Sequence, residues 1–294
     1  MRYVQLRAFH YVAICGGFSR AAEALRLTQP AISDQVRKLE EDYDVLLLNR
    51  QKKQVSLTRS GNRLLEITHR LFEVEKQAQE LLSESRDLRS GSMRIIADSA
   101  NHLMQVLSQF RDRYPGIEIT IRSGNTEDVI AALHDYQADL GVLGEVPEGA
   151  RFRSIKLSST PLIAFVGKQN KLSDKTSLSL AELFEQPLVL REPGSKTRQK
   201  IEEVVAERGL SLKPAIEAEG REAVQQIVAA GAGFGIVSAA EFSREPNLVP
   251  IEISDCEIMM DEALVCLRER ASGNLVRTFM DMAENWQAAK EVTL

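Results

Sequence analysis

Between residues 19 and 50, apolar positions repeat at the spacing of an α-helix. Ile32, Val36 and Leu39 fall at positions i, i+4 and i+7, which places them along one side of a helix. Thr28 is a favourable N-cap, and Pro30 lies just inside the helix start, where a missing N–H costs little. The pattern predicts an amphipathic helix whose outer face is polar and partly basic.

A shorter helix is predicted just upstream, over residues 19–25, where small side chains allow another helix to approach closely. The corner between the two helices, residues 27–29, is short. Two helices, a tight corner and a basic outer face on the second helix are typical of a helix-turn-helix, whose second helix enters the DNA major groove. An ordinary helical hairpin with a solvated charged face is the alternative.

The helix-turn-helix predicts a set of DNA-contacting side chains at the start and on the outer face of the second helix. These are Thr28, Gln29, Pro30, Ala31, Ser33, Asp34, Arg37 and Lys38. Two short β-prone runs, 45–49 and 55–57, flank a basic segment and predict a two-stranded wing. Its cations, Arg50, Lys52 and Lys53, are placed to contact phosphates, although a solvated turn has the same composition.

Thr58 precedes a long amphipathic segment that predicts a helix reaching about residue 88. Its apolar and small positions follow a heptad spacing, which favours dimerisation through this helix over packing on its own domain. The seam consists of Leu64, Ile67, Leu71, Val74, Ala78 and Leu81. A homodimer would present two reading helices to two half-sites.

From residue 93 onward, strand and helix signals alternate after a hinge at 89–92, which predicts parallel α/β sheets. Strands are predicted at 93–97, 117–123, 140–143, 161–166, 188–190, 215–218, 234–238 and 262–268. Helices are predicted at 100–113, 126–134, 180–184, 195–208, 222–230 and 274–290; another helix is predicted at 3–15, near the start of the chain.

Composition narrows the class of protein. The net charge of −5 conceals an asymmetry, because residues 1–60 hold 10 Lys and Arg against 6 Asp and Glu. A basic module joined to an acidic one fits a nucleic-acid reader that carries a second domain. No apolar run is long enough for a membrane span, no signal-peptide core is visible, and a cytoplasmic protein is expected. The three cysteines and four histidines show no metal-ligand spacing, so no metal or cofactor is predicted.

Three polar turns follow predicted strands and open helices in the second module, where open α/β sheets bind ligands. Their N–H groups suit an anion, and the nearby cations favour a charged oxyanion, although each hydroxyl taken singly has the alternative role of an N-cap. The candidate effector-binding residues are Asp98, Ser99, Asn101, Ser123, Asn125, Gly144, Glu145, Ser195, Lys196, Thr197, Arg198 and Arg221.

The N-terminal segments resemble one family closely. FSRAA at 18–22, TQPAIS at 28–33, KLE at 38–40, LNR at 48–50 and VSLTRSG at 55–61 are similar to the N-terminal signature of LysR-type transcriptional regulators. Two departures stand out: Asp34 replaces a frequently basic residue, and Asp44 replaces the usual Gly at a tight turn. Asp tolerates that conformation better than most residues.

The resemblance implies a two-domain α+β and α/β architecture. A winged helix-turn-helix (1–58) is followed by a linker helix and hinge (59–90) and an effector-binding domain (91–294). That domain would contain two Rossmann-like α/β subdomains, 91–160 with 268–294 and 161–267, as in periplasmic binding proteins. The implied partners are promoter or operator DNA, a small effector and RNA polymerase, and the implied assembly is a homodimer or homotetramer.

The segments REPGSKTR at 191–198 and GREAV at 220–224 resemble the LysR branch associated with aminoethylphosphonate catabolism. A phosphonate would suit the hydroxyls and cations, and Asp98 or Glu145 would suit an ammonium. A carboxylate, sulfate or amino acid would satisfy much the same residues. A solute-binding protein is the alternative of another class; an enzyme is not expected, because no nucleophile elbow, P-loop or catalytic triad is recognisable.

Overall fold

The structure is a computed structural model that describes residues 1–49, 55–83, 91–147, 149–243 and 245–293. These residues belong to two compact units, Met1–Ser83 and Glu84–Leu294. Across the described part of the chain, no helix combines the length and the apolar character that crossing a membrane requires.

Unit 1 is a small helical bundle with a two-stranded ribbon. Its helices are α1 (Tyr3–Cys15), α2 (Phe18–Leu25), α3 (Gln29–Asp42) and α4 (Arg59–Ser83), and its strands are β1 (Leu48–Asn49) and β2 (Ser56–Leu57). The two strands pair antiparallel, as a wing requires. Gly16 ends α1 with a φ of 67°, a left-handed conformation that favours glycine.

The apolar stripe predicted from the sequence forms the centre of unit 1. Ile32, Val36 and Leu39 on α3 are almost completely buried against Phe9 and Val12 of α1 and neighbouring residues. Burying each such side chain contributes roughly 1.5–3 kcal/mol, so these contacts fix which face of α3 points outward. Asp44 has the positive φ of 48° expected at its tight turn.

Unit 2 is built around a ten-stranded sheet. Its strands are β3 (Gly91–Ala97), β4 (Ile117–Ser123), β5 (Leu140–Leu143), β6 (Phe152–Gly167), β7 (Ser177–Leu178), β8 (Leu188–Arg191), β9 (Pro214–Ala218), β10 (Phe234–Ser238), β11 (Leu248–Ile253) and β12 (Met259–Leu267). Its helices are α5 (Met104–Arg113), α6 (Thr126–His134), α7 (Leu180–Leu183), α8 (Lys196–Glu207), α9 (Arg221–Ala229) and α10 (Asn274–Thr293), and short 3-10 turns cover Asn101–Leu103 and Arg268–Arg270.

The sheet is mixed, which corrects the expectation of parallel pairing throughout. β3 pairs parallel with β4 and β5, and β8 pairs parallel with β9 and β10. β6 and β12, by contrast, run antiparallel to each other, and β12 runs antiparallel to β5. β6 also pairs antiparallel with β10 and β11. Alternation of strand and helix signals does not reveal these reversals of direction.

Two lobes can be distinguished within unit 2. The first lobe packs α5, α6 and α10 against β3, β4, β5 and the parts of β6 and β12 that pair with each other. The second lobe packs α7, α8 and α9 around β8, β9, β10, β11 and the end of β6. β6 and β12 contribute core residues to both lobes and connect them.

Several predicted elements differ from the observed ones. β6 begins at Phe152, so that the segment before residue 161 is strand, and the short strands β7 and β11 were not predicted. The helix predicted at 100–113 is divided into a 3-10 turn and α5. The predicted end of the linker helix, near residue 88, and the first part of the hinge at 89–92 lie outside the described residues.

Candidate functional site

The outer surface of α3 carries the side chains predicted to contact DNA. The Thr28 Oγ1 accepts the N–H of Ala31 at 3.4 Å, so the helix begins at its predicted cap. The predicted residues that the structure describes are all exposed or half-buried: Thr28, Gln29, Pro30, Ala31, Ser33, Asp34, Arg37 and Lys38. Arg50, Lys52 and Lys53 lie outside the described residues.

The cations on this surface are paired with carboxylates. Asp34 contacts Arg37 Nη2 and Lys38 Nζ, each at 2.7 Å, and Arg37 also contacts Glu41 at 2.8 Å. Hydrogen bonds from Lys38 and Arg37 lower the pKa of the Asp34 side chain. A DNA phosphate that contacted either cation would therefore have to compete with Asp34.

Glu40 is a structural residue of this surface to which the sequence analysis assigned no role. Its buried carboxylate accepts the N–H groups of Leu47 at 2.8 Å and Leu48 at 3.1 Å. These hydrogen bonds attach the first strand of the wing to the end of α3. An acidic residue near the C-terminus of a helix is unfavourable for the helix dipole. The position of Glu40 was therefore the available indication that its side chain interacts with another element.

The exposed side of α4 carries the apolar seam predicted for dimerisation. Ile67, Leu71 and Val74 are 53%, 42% and 61% exposed within unit 1. Ala78 is also exposed, Leu64 packs partly against the core, and the side chain of Leu81 lies outside the described residues. An apolar cavity of about 320 Å³ lies beside Leu64 and Ile67. The seam therefore continues into a groove of the same unit.

Unit 2 contains a polar cavity of about 800 Å³ between its lobes. The first lobe contributes Asp98, the turn at 123–125 and Asp128, and the second lobe contributes residues 191–193 and 217–222. Four candidate effector residues line this cavity: Asp98, Ser123, Asn125 and Arg221. The Asn125 Nδ2 also donates a hydrogen bond to the Pro193 carbonyl at 3.3 Å, which joins the two lobes at its rim.

Two buried arginines form the floor of the cavity. Arg191 contacts Asp98 Oδ1 at 3.2 Å and Glu192 Oε2 at 2.8 Å. Arg221 donates to the Glu241 carboxylate and to the carbonyl of Asp98, so both arginines reach the end of β3 from the second lobe. Burial raises the pKa of Asp98, and the charge of Arg191 opposes that rise. Arg191 was not among the predicted effector residues, because its contact with Asp98, 93 residues away in the sequence, cannot be inferred from spacing.

The other predicted cations lie apart from the cavity wall and are paired. Lys196 Nζ contacts Glu145 at 2.6 Å, across the two lobes. Arg198 contacts Glu202 at 2.7 Å and Glu217 at 2.5 Å. Gly144 is buried beside the Lys196 side chain, and Asn101 is exposed at the 3-10 turn.

Three buried hydroxyl groups within two residues in sequence of the cavity lining have no hydrogen-bond partner among the described residues. They are Ser99 Oγ, Thr126 Oγ1 and Ser195 Oγ. Ser195 precedes α8 but its side chain does not cap the helix, whereas Asn125 caps α6 by accepting the N–H of Asp128. Thr197, in the first turn of α8, is also buried. Buried polar groups are rarely left unpaired, so these hydroxyls suit a bound ligand.

A second cluster of polar side chains, formed by His102, Glu241 and Glu262, lies where β12 meets the second lobe. His102 Nε2 is 3.9 Å from an oxygen of Glu241 and 3.9 Å from an oxygen of Glu262. Burial, together with the charges of Glu241 and Asp98, raises the pKa of Glu262 to about 9. Burial also acts to raise the pKa of Glu241, but His102 and Arg221 hold it below its usual range.

Comparison with known families assigns both units. Residues 86–288 match the family described as LysR substrate binding domain. Residues 3–62 match the family described as bacterial regulatory helix-turn-helix protein, lysR family. The chain belongs to the LysR family. It is a DNA-binding transcriptional regulator with an effector-binding domain, and a solute-binding protein would not account for residues 3–62.

Relatives within the LysR family are regulators of transcription. The regulator CfxR of Cupriavidus necator is 34% identical over 85% of this chain and 80% of its own length. The RuBisCO operon transcriptional regulator of Allochromatium vinosum is 33% identical over 80% of this chain and 78% of its own. These names give no support to the aminoethylphosphonate branch, and neither family match describes a catalytic domain.

Solved LysR-family structures share the fold. A full-length OxyR variant from Pseudomonas aeruginosa has a TM-score of 0.80 at 19% identity, covering 96% of this chain and 94% of that one. Full-length CbnR complexed with its target DNA has a TM-score of 0.64 at 20% identity, covering 97% and 99%. The CcmR regulatory domain of Synechocystis PCC6803, in complex with 2-PG, has a TM-score of 0.60 at 21% identity, covering 67% and 98%.

Proposed function

We propose that this LysR-family regulator senses a small anionic metabolite in the cavity between the lobes of unit 2, and that the metabolite controls its action on a promoter. The observation that carries the proposal is the set of three buried, unpartnered hydroxyls at Ser99, Thr126 and Ser195. They come from both lobes, so one ligand that satisfied them would contact both.

The charges around the cavity narrow the chemistry of the effector. Among the described residues that line the cavity, Arg191 and Arg221 are the cations. Carboxylates already contact both of these arginines. The remaining wall is rich in acidic side chains, namely Asp98, Asp128, Glu192, Glu217, Glu219 and Glu222. An anion that also carries an ammonium would face the arginines and helix N-termini with one end and these carboxylates with the other.

Several anions remain candidates within this class. 2-aminoethylphosphonate and amino acids carry both charges, whereas sulfate and simple carboxylates carry only the negative one. The CcmR regulatory domain was solved with 2-PG, which makes 2-PG a further candidate here. We propose that effector binding changes the angle between the lobes, because a ligand shifts an equilibrium only if it binds the two states unequally.

Control of transcription further requires that two copies of the reading helix act together. We propose a homodimer through the α4 seam at Ile67, Leu71, Val74 and Ala78, and a homotetramer through further contacts. The exposure of these apolar side chains within unit 1 supports the dimer. A change in the spacing of two reading helices would alter DNA bending and the contact with RNA polymerase.

The effector is tested by titration calorimetry of the full chain with 2-aminoethylphosphonate, 2-PG, sulfate and amino acids. We expect saturable binding of at least one anion and its loss in Ser195→Ala and in Thr197→Ala. Removing the Ser195 hydroxyl should leave α8 intact, because it caps nothing. Glu203→Gln, an exposed change on the same helix, is the control. Undiminished binding in Ser195→Ala and in Thr197→Ala would exclude an effector site that uses these hydroxyls.

The regulatory step is tested by a mobility-shift assay on DNA upstream of candidate target genes, with and without the anion identified by calorimetry. We expect a specific shift at moderate salt whose midpoint or mobility changes with the anion. An unchanged shift with saturating effector would contradict effector control while leaving DNA binding in place.

A further inference from the structure

His102, Glu241 and Glu262 bring three metal-ligating side chains together in unit 2, although they are far apart in the sequence. Their nitrogen and oxygen ligand atoms all lie within 4.8 Å of one another. Ligand atoms that share one metal at about 2.0–2.2 Å are separated by roughly 3–3.5 Å. The observed His102–carboxylate distances of 3.9 Å need only a small contraction to reach that geometry.

Burial distinguishes this group from ordinary surface carboxylates. The side chains of His102, Glu241 and Glu262 are 10%, 6% and 3% exposed. His102 Nε2 and Glu262 Oε2 have no hydrogen-bond partner among the described residues. Two buried ligand atoms, one an imidazole nitrogen and one a carboxylate oxygen, are therefore open to a further partner. Leaving such atoms unsatisfied is costly in a folded protein.

The charges around the three residues favour a cation as that partner. Asp98, Glu241 and Glu262 act on one another as neighbouring carboxylates, and Arg221 is the guanidinium that contacts two of these residues. Arg191 also contacts Asp98, but it is shared with Glu192. With Asp98, Glu192, Glu241 and Glu262 all ionised, these two arginines leave an excess of negative charge in a buried region. Either a proton or a metal cation can balance it, and a proton on Glu262 leaves the His102 Nε2 unused.

We propose that His102, Glu241 and Glu262 form a binding site for one divalent transition-metal ion. One imidazole nitrogen and two carboxylate oxygens suit Zn²⁺ or Mn²⁺, whereas Mg²⁺ and Ca²⁺ prefer oxygen ligands alone. Three protein ligands leave at least one coordination position open. The site is distinct from the proposed anion contacts at Ser195 and Thr197, so either assignment can fail without the other.

Neighbouring residues would support the ligands. Arg221 donates to Glu241 Oε1, the oxygen that also lies 3.9 Å from His102 Nε2, and this contact fixes the position of the carboxylate. The His102 Nδ1 lies 3.4 Å from Ser158 Oγ, which orients the opposite nitrogen toward the carboxylates. Hydrogen-bonded ligands of this kind are the usual surroundings of a protein metal site.

The test is titration calorimetry of the full chain, freed of metal with EDTA, using Zn²⁺, Mn²⁺ and Mg²⁺. We expect one site per chain for Zn²⁺ or Mn²⁺, in preference to Mg²⁺. Glu262→Gln and His102→Gln should each weaken that binding on the order of 100-fold. Gln has the shape of a protonated Glu, so Glu262→Gln should keep the melting temperature of the metal-free protein.

Glu203→Gln removes an equal charge from an exposed position and should leave the affinity for metal unchanged. Wild-type protein that binds neither Zn²⁺ nor Mn²⁺ more tightly than about 1 mM would overturn the proposal and leave a proton as the balancing charge. Binding that persists equally in Glu262→Gln and His102→Gln would also overturn it, because the metal would then occupy other ligands. Calorimetry with anions remains a separate measurement of the effector site.

Discussion

Asp34 is an acidic residue on the surface predicted to read DNA. It contacts both Arg37 and Lys38 at 2.7 Å, and the resemblance to LysR regulators implies a basic residue there more often. Its charge repels phosphates and holds the two cations along the helix surface. We therefore expect Asp34 to oppose the sequence-independent part of DNA binding.

We expect Asp34→Asn to tighten binding to all DNA sequences by roughly three- to tenfold at low salt, with a smaller gain at high salt. Fluorescence anisotropy with operator and unrelated duplexes at two salt concentrations measures this. Glu66→Gln, which removes an equal charge from an exposed position of α4, should change the affinity less. Weaker operator binding by Asp34→Asn would instead assign Asp34 a direct contact with a base.

At the scale of single residues, the sequence identified types of side chain better than their partners. Thr28 caps α3 as predicted, and Asp98, Ser123, Asn125 and Arg221 line one cavity. Lys196 and Arg198 were predicted to favour a charged oxyanion, but they are paired with Glu145, Glu202 and Glu217. Two of those three acids lie on other elements, and such pairings depend on tertiary structure that spacing does not encode.

At the scale of elements, the contact between α1 and α4 makes unit 1 sensitive to acid. His10 lies 3.1 Å from Thr68 Oγ1 and packs against Phe72 and His69. Burial, and to a smaller degree the charge of His69, lowers the pKa of His10 to about 4. The folded unit therefore excludes a proton that the unfolded chain binds below its ordinary pKa of about 6.5.

Because the unfolded state binds more protons between pH 6.5 and 4, the free energy of unfolding should fall as the pH falls through that window. The slope contributed by His10 is at most about 1.4 kcal/mol per pH unit. Hydrogen exchange of α1 and α4 at pH 7 and pH 5.5, corrected for intrinsic rates, measures this loss. His10→Gln should flatten the dependence; the same loss in that variant would assign it to another group.

The seam on α4 makes a second prediction at this scale. Leu71 is exposed within unit 1, so Leu71→Glu should fold normally but place two charges in the proposed dimer contact. We expect the dimer dissociation constant to rise by on the order of 100-fold, measured by light scattering across a concentration series. Gln79→Glu adds the same charge at an exposed position off the seam and should keep the dimer. A Leu71→Glu dimer of unchanged affinity would exclude the seam.

The sequence predicted the long helices more accurately than it predicted the strands of unit 2. Long amphipathic helices such as α3 and α4 are recognisable from a helical repeat that tertiary contacts preserve. The first half of β6 was missed because its polar residues, among them Arg153, Lys156 and Ser158, interrupt the alternation expected of a strand. Strand direction was wrong for β6 and β12 because pairing direction depends on partners distant in the sequence.

At the scale of unit 2, the ion pair between Glu145 and Lys196 links the lobes. Its 2.6 Å contact stabilises the arrangement in which the cavity is bounded on both sides. We expect Lys196→Met to weaken effector binding by up to about tenfold, because fewer molecules would have the lobes together. Calorimetry of Lys196→Met, Glu145→Gln and the double variant measures this effect.

Equal losses in the three proteins would indicate that the two residues act as a pair. Arg153→Met is the matched control, because Arg153 pairs with Asp281 and Glu284 inside the first lobe. A control variant that weakens the effector as much as Lys196→Met would show that removing any ion pair has the same effect, and the linking role would be wrong.

The continuous strands β6 and β12 determine how the lobes can move. Their pairing runs from Phe152 opposite Leu267 to Pro161 opposite Met259, with a bulge between Glu262 and Ala263. From residues 158–161 opposite 259–262, neither strand pairs with a third described strand. A two-stranded ribbon of this kind is naturally twisted, and a bulge increases the twist locally. Such a ribbon twists about its long axis more readily than it bends within the plane of the sheet. The lobes should therefore open by rotating relative to each other about the long axis of this ribbon, with Glu262 close to the pivot.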